Sequence, residues 1–150
     1  VQDVLIHTFS HLLMKQLSLE CGYSGSSLRE RIYTVDGDGG DGYAGVLIYT
    51  ASSAADGTLG GLVSQGEPGR LQGMVRAALL SARWCSSDPL CSESKGQGAD
   101  ALNLSACHAC ALIGETSCER RNLYLDRGFV TGTIDLPDTG FISPLLPELD

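Results

Sequence analysis

The chain reads as a small α+β domain in which about three helices pack a β-hairpin or small antiparallel sheet. Apolar residues at helical spacing open the sequence, and two β-branched, aromatic runs flank a glycine–aspartate stretch. Five of the six cysteines fall between Cys85 and Cys118. At 150 residues the chain has the size of one domain and is long enough to bury one core.

In DVLIHTFSHLLMKQLSL apolar residues at 5, 6, 9, 12, 13 and 17 form a stripe that predicts a helix from Asp3 to Leu19. Asp3 is a suitable cap, and Cys21-Gly22 ends the helix, glycine being the common residue just past a helical C-terminus. RIYTV (31–35) and GVLIYTA (45–51) predict an antiparallel hairpin around the loop DGDGGDGYA, with GVLIYTA the more buried strand. DGTLGGL (56–62) predicts a glycine-rich turn. Gly66-Glu67-Pro68 then opens a second helix, because proline is tolerated in a first turn and glutamate faces the positive helix end. It is expected to run from Glu67 to Trp84, burying Leu71, Met74, Val75, Ala78, Leu79 and Ala82. Residues 92–101 are polar and predict a surface loop, and a third helix is expected from Glu115-Thr116 past Leu125. From Thr131 onward Pro137, Pro144 and Pro147 predict an irregular course, so the domain is placed at 1–142 with a tail at 143–150.

Charge and hydropathy narrow the functional classes. Ten basic against 18 acidic residues give a formal charge of −8 and a pI near 4.7. That balance argues against a surface built for phosphate backbones. No apolar run is long enough to span a bilayer, and Val1 to Leu19 lacks the uninterrupted apolar core of a signal peptide. The first residue is Val1, not Met, which suggests a piece of a longer protein. With nothing pointing to export, the expected compartment is the cytoplasm, where thiols stay reduced and disulfides are rare.

That setting bears on the cysteines. Cys107-His108-Ala109-Cys110 has the two-residue gap with which a tight turn aims two sulfurs at one point. Cys85 and Cys91 make a looser pair around SSDPL, with fifteen residues between Cys91 and Cys107. A disulfide framework would need export, and a redox pair would need the start of a helix after a strand, so metal is favoured. Iron–sulfur ligation stays a minority alternative because its usual spacings are tighter, so zinc is favoured. Five cysteines for four places leave Cys91 and Cys118 competing for the fourth. A closed site of four thiolates has no open position for water or substrate and is a folding element. One zinc per chain is the expectation. Cys21, at a helix end, is expected to be an inert thiol.

Other residue groups carry weaker signals. His7 and His11 share a helix face, but Thr8 stands where a zinc hydrolase has its glutamate, so both imidazoles are expected as hydrogen-bonded groups at the edge of the core. His108 is expected to be a loop residue. DGTLGGL lacks the Gly-Lys-Ser/Thr ending of a nucleotide loop, and SGSS (24–27) matches no nucleophile motif. Arg120, Arg121 and Arg127 are the one basic concentration, with Arg120 and Arg127 on one face of the expected third helix.

The motif order is distinctive: HTFSHLL on a helix, GVLIYTA followed by DGTLGGL, a helix ending in ARWC, then CHAC, then a final cysteine and NLYLDR. It resembles the MrfA-like zinc-binding domain that closes bacterial DNA-repair helicases of the Mrf type. LECGYS, SLRERIY, WCSSDPLC and ETSC suggest the branch of the family that ends the B subunit of the DISARM antiphage system. The likeness covers residues 3–142. It implies one zinc held by four cysteines. Cys107 and Cys110 match the CxxC pair, Cys85 matches the cysteine after the preceding helix, and Cys91 matches a second cysteine close behind it. Cys118 is the alternate ligand. The resemblance also implies a helicase subunit or the rest of a parent chain as partner, and the charge of −8 implies that DNA is met through that complex and not strongly by this domain. The chain has no Walker lysine motif and no helicase acidic box. The expectation is therefore a non-catalytic, zinc-stabilised accessory domain of a DNA-processing or antiphage defence complex. Two rivals stand beside it: a metallohydrolase using His7 and His11, and a stand-alone protein-interaction module.

Overall fold

The computed structural model describes residues 1–35, 42–51 and 59–149, without the side chains of residues 59 and 60. Helix α1 (Gln2–Cys21) crosses the molecule and is the element against which the rest assembles. Gly22 ends it in the left-handed conformation (φ 71°) and donates its amide to the Ser18 carbonyl, as the Cys21-Gly22 signal predicts. Asp3 is not the cap. Val1 holds that position, and Asp3 sits in the first turn with its carboxylate on the Arg120 guanidinium.

Strands β1 (Leu28–Val35) and β2 (Tyr43–Thr50) form a two-stranded antiparallel sheet in which Leu28 pairs with Thr50 and Val35 with Tyr43. Most of the expected DGDGGDGYA loop lies outside the described residues. Burial reverses the expectation for the strands: β1 alternates buried and exposed residues, whereas no residue of β2 is fully buried. Leu28, Glu30 and Ile32 of β1 are the buried side chains, on the face of the sheet turned toward α1.

DGTLGGL divides. Residues 56–58 lie outside the described residues, and from Leu59 the chain is the short helix α2 (Leu59–Gln65), not a turn. Helix α3 (Pro68–Ser81) starts at the predicted Glu67-Pro68 signal and stops three residues short of Trp84. Met74, Ala78, Leu79 and Ala82 are buried as predicted, Val75 is partly so, and Leu71 is 41 % exposed. The expected helix at 115–125 is absent. Arg121, Asn122 and Tyr124 have φ between 53° and 62°, left-handed backbone that interrupts any right-handed helix. The helix in this region is α4 (Arg127–Thr131), capped by the Asp126 carboxylate, which accepts the Gly128 amide at 2.9 Å.

The last residues are more ordered than an irregular tail. Helical turns at Pro137–Thr139 and Ser143–Leu145 lead into α5 (Leu146–Leu149). Ile142 and Leu146 join Leu12, Leu79, Ala82 and Val130 in one apolar cluster. A second cluster joins Leu13, Met14, Leu17, Tyr23, Leu28, Met74 and Ala78. Both use α1, from adjacent faces. A third gathers around the cysteines: Cys91, Cys110, Ala106, Ala111 and Leu125. The result is a compact α+β arrangement of five helices and one hairpin among the described residues.

Candidate metal centre

Cys85 comes just after α3, and the six residues that follow it wrap around one carboxylate. Asp88 accepts the Cys85 amide (3.0 Å) and the Ser92 amide (3.1 Å), while the Cys91 amide reaches back to the Ser87 carbonyl (3.0 Å). These bonds fold the wide Cys85–Cys91 interval into a loop that turns both sulfurs to one side. Arg127 locks the loop to the helices. It donates to both Asp88 carboxylate oxygens (2.8 and 3.1 Å) and to the Ala82 carbonyl at the end of α3 (2.8 Å).

The second pair sits on a tight knuckle. The Cys107 carbonyl accepts the amides of Cys110, Ala111 and Leu112 (2.9–3.2 Å). Lys15 of α1 donates to the outward carbonyls of His108 and Ala109 (3.0 and 3.3 Å). His108 itself is an exposed loop residue, as expected.

The four sulfurs of Cys85, Cys91, Cys107 and Cys110 lie within 4.8 Å of one another. Three of the separations are 3.5 Å (Cys85–Cys107), 3.7 Å (Cys91–Cys110) and 3.8 Å (Cys107–Cys110). Tetrahedral zinc with Zn–S bonds of about 2.3 Å requires sulfur–sulfur edges of about 3.8 Å. The donor set and its spacing fit zinc. Burial pushes the Cys91 and Cys110 thiols up. For Cys107 burial acts in the same direction, but the hydrogen bonds from Cys85 and from the Cys110 and Ala109 amides outweigh it and hold the thiol low. A divalent cation completes the ionisation of the thiols that bind it. Gln97 points its amide at the Cys91 sulfur (3.6 Å), an outer partner that the polar loop reading at 92–101 did not anticipate.

Cys118 is in a different place. It lies with His7, His11 and Glu30, whose ligand atoms form a second convergent group. Cys21 is half-buried at the end of α1, against the apolar cluster there. His7 and His11 are buried and hydrogen-bonded, but in the core and not at its edge. The sequence reading missed Glu30, although a signal existed. In LRERIYTV the alternation puts Leu28, Glu30 and Ile32 on one face, so Glu30 is a charge in the apolar phase of a strand. Starting that strand at residue 31 hid it. The basic strip does not form: Arg120 is bound to Asp3, and Arg127 is only 2 % exposed beneath the cysteine loop.

The hydrolase reading needs a metal with an open coordination position. His7, His11, Glu30 and Cys118 are between 0 and 5 % exposed, a burial unlike the open site of a catalytic zinc.

The family model for the MrfA Zn-binding domain matches residues 9–111, a stretch that contains Cys85, Cys91, Cys107 and Cys110 but neither His7 nor Cys118. The chain is 45% identical over 143 residues, 95% of its length, to the DISARM protein DrmB of Bacillus paralicheniformis. It spans about a quarter (25%) of the length of that curated relative. No helix among the described residues is long and apolar enough to cross a membrane.

Proposed function

The chain belongs to the MrfA Zn-binding domain family, and on that premise we propose that it is the non-catalytic, zinc-stabilised accessory domain of a larger DISARM-like antiphage defence protein. Cys85, Cys91, Cys107 and Cys110 are its zinc ligands. The observation that carries this reading is the four-sulfur cage itself. Four thiolates fill a tetrahedral zinc, leaving no position at which water is activated or a carbonyl polarised. The zinc joins the loop after α3 to the 107–110 knuckle, two segments that share little other apolar burial. Its work is to fold this lobe.

The partner in this reading is the rest of the parent chain or an associated helicase subunit, with DNA engaged through that assembly. The outward face of the hairpin supports a protein contact. Tyr33, Val35, Tyr43, Leu47 and Tyr49 are between 41 and 59 % exposed, and the register places all five on one side of the sheet. A contiguous apolar patch rimmed by Arg29 and Arg31 suits a protein partner better than a phosphate backbone.

The test uses the full-length parent protein. Cys107→Ser is expected to remove zinc, abolish protection against phage and release the protein from its complex. Folded, zinc-free protein that still protects would overturn the reading.

A further inference from the structure

We propose that His7, His11, Glu30 and Cys118 form a second, closed zinc site, distinct from the four-cysteine cage. The four residues come from α1, β1 and the loop after the CHAC knuckle, and their ligand atoms lie within 4.8 Å of one another. His7 Nε2 is 3.2 Å from Cys118 Sγ and 3.2 Å from Glu30 Oε1, and His11 Nε2 is also 3.2 Å from Glu30 Oε1. Tetrahedral zinc, with bonds of about 2.0–2.2 Å to nitrogen and oxygen and 2.3 Å to sulfur, sets donor–donor edges of about 3.3–3.6 Å. The observed 3.2 Å separations lie just inside those edges, so a bound ion needs the donors to part by only a few tenths of an ångström.

The protons argue in the same direction. His11 Nδ1 is 2.9 Å from the Ala111 carbonyl, an acceptor only, so Nδ1 carries the hydrogen. In the neutral ring Nε2 then presents a lone pair, and it presents it to a carboxylate oxygen. Two acceptors facing each other in a buried pocket repel unless a cation lies between them or the ring is doubly protonated. Carbonyl-held histidines of this kind are the common arrangement around bound metal, because the outer bond fixes the tautomer and the ring orientation. Glu30 is oriented likewise: the Ser10 hydroxyl occupies Oε2 and leaves Oε1 for the histidines. Cys118 Sγ accepts the amides of Asn122 (3.2 Å) and Arg120 (3.3 Å), the pattern that stabilises a metal-bound thiolate. His7 Nδ1 is buried without a hydrogen-bond partner.

Four protein ligands and near-complete burial make this a structural site. It pins α1 to the inner face of β1 and to the segment that leaves the CHAC knuckle. The hairpin and the cysteine cage, whose fully buried residues fall in separate apolar clusters among the described residues, are thereby tied through one ion.

Zinc content and zinc X-ray absorption of the full chain, purified without chelator, test the proposal. Two zincs per chain are expected, sharing five sulfur and three nitrogen or oxygen ligands. Cys118→Ala should lose one equivalent and leave a zinc with an all-sulfur shell. Cys110→Ser should lose the other and leave a zinc with a single sulfur. If Cys118→Ala fails to fold, the wild-type ligand count decides alone. One zinc per chain with four sulfurs would overturn the second site and show that a histidine–glutamate ion pair occupies this pocket. Two zincs retained in Cys118→Ala would overturn it as well.

Discussion

The cysteine cage and the His7–His11–Glu30–Cys118 cluster are both convergent, buried donor sets, yet they are built in opposite ways. The cage draws two ligands from each of two short loops, and each loop is shaped by its own hydrogen bonds: Asp88 organises one, the Cys107 carbonyl the other. Its geometry is largely local. The cluster takes two ligands from α1, one from β1 and one from a loop more than a hundred residues beyond His7. It exists only because the hairpin and the last third of the chain pack on the same helix. A local cage nucleates its own lobe; a distributed cluster reports that the whole fold has closed.

The largest effect expected from breaking this contrast is at the cage. Binding of structural zinc supplies on the order of 10 kcal/mol or more to small domains. Cys91→Ser is therefore expected to unfold the cysteine lobe, seen as loss of zinc and of amide protection around residues 103–112. Cys118→Ser should leave the cage zinc in place. Retention of all-sulfur zinc in Cys91→Ser would show that the fourth ligand has been misassigned.

Glu30→Ala is next. It removes the buried charge on which His7, His11 and Ser10 converge. Removing one partner from such a buried group costs about 3–5 kcal/mol. Urea unfolding should show that loss across the whole domain, because the cluster spans it. A loss confined to α1 would contradict the distributed picture.

Arg127→Leu sharpens the comparison from the cage side. The Arg127–Asp88 pair is 2.8 Å long, with side chains 3 and 9 % exposed, and it anchors the Cys85–Cys91 loop to α3. A loss of about 3 kcal/mol is expected, because Asp88 remains as an uncompensated buried charge. Zinc affinity should fall with stability, and Asp88→Asn in the same background should recover part of both.

The smallest effect is at the periphery of the cluster. Asp3 and Arg120 are partly exposed, and the hydrogen bond from Arg120 holds the Asp3 carboxyl below its ordinary value of 3.8. A carboxyl lowered on folding contributes its stability above its unfolded value and loses it as pH falls through the folded one. At neutral pH the contribution is complete but screened by solvent. Asp3→Asn should cost under about 1 kcal/mol, and less at high salt. A larger cost in a denaturant titration would place Asp3 inside the cluster's energetics and not at its rim.

What the sequence determined alone lies among the features that near neighbours govern, though Asp3 as a cap and DGTLGGL as a turn are misread even there. The stripe of α1 and its Gly22 stop, the Glu67-Pro68 start of α3, the β-branched runs and the CHAC knuckle all follow from interactions over a few residues. The tertiary structure decided what depends on partners far along the chain. The helix expected at 115–125 is lost because that segment turns through left-handed backbone to bring Cys118 under α1 and Arg127 onto Asp88. β1 rather than β2 is the more buried strand because the 117–119 segment runs along its free edge, where the Ser117 carbonyl and the Glu119 carboxylate accept the Glu30 and Ile32 amides, a choice that the apolar content of YAGVLIYT cannot express. Cys118 leaves the cage and Glu30 joins the histidines for the same reason: a ligand shell is set by which side chains converge in space, and spacing along the chain carries that information only when one short loop supplies the ligands.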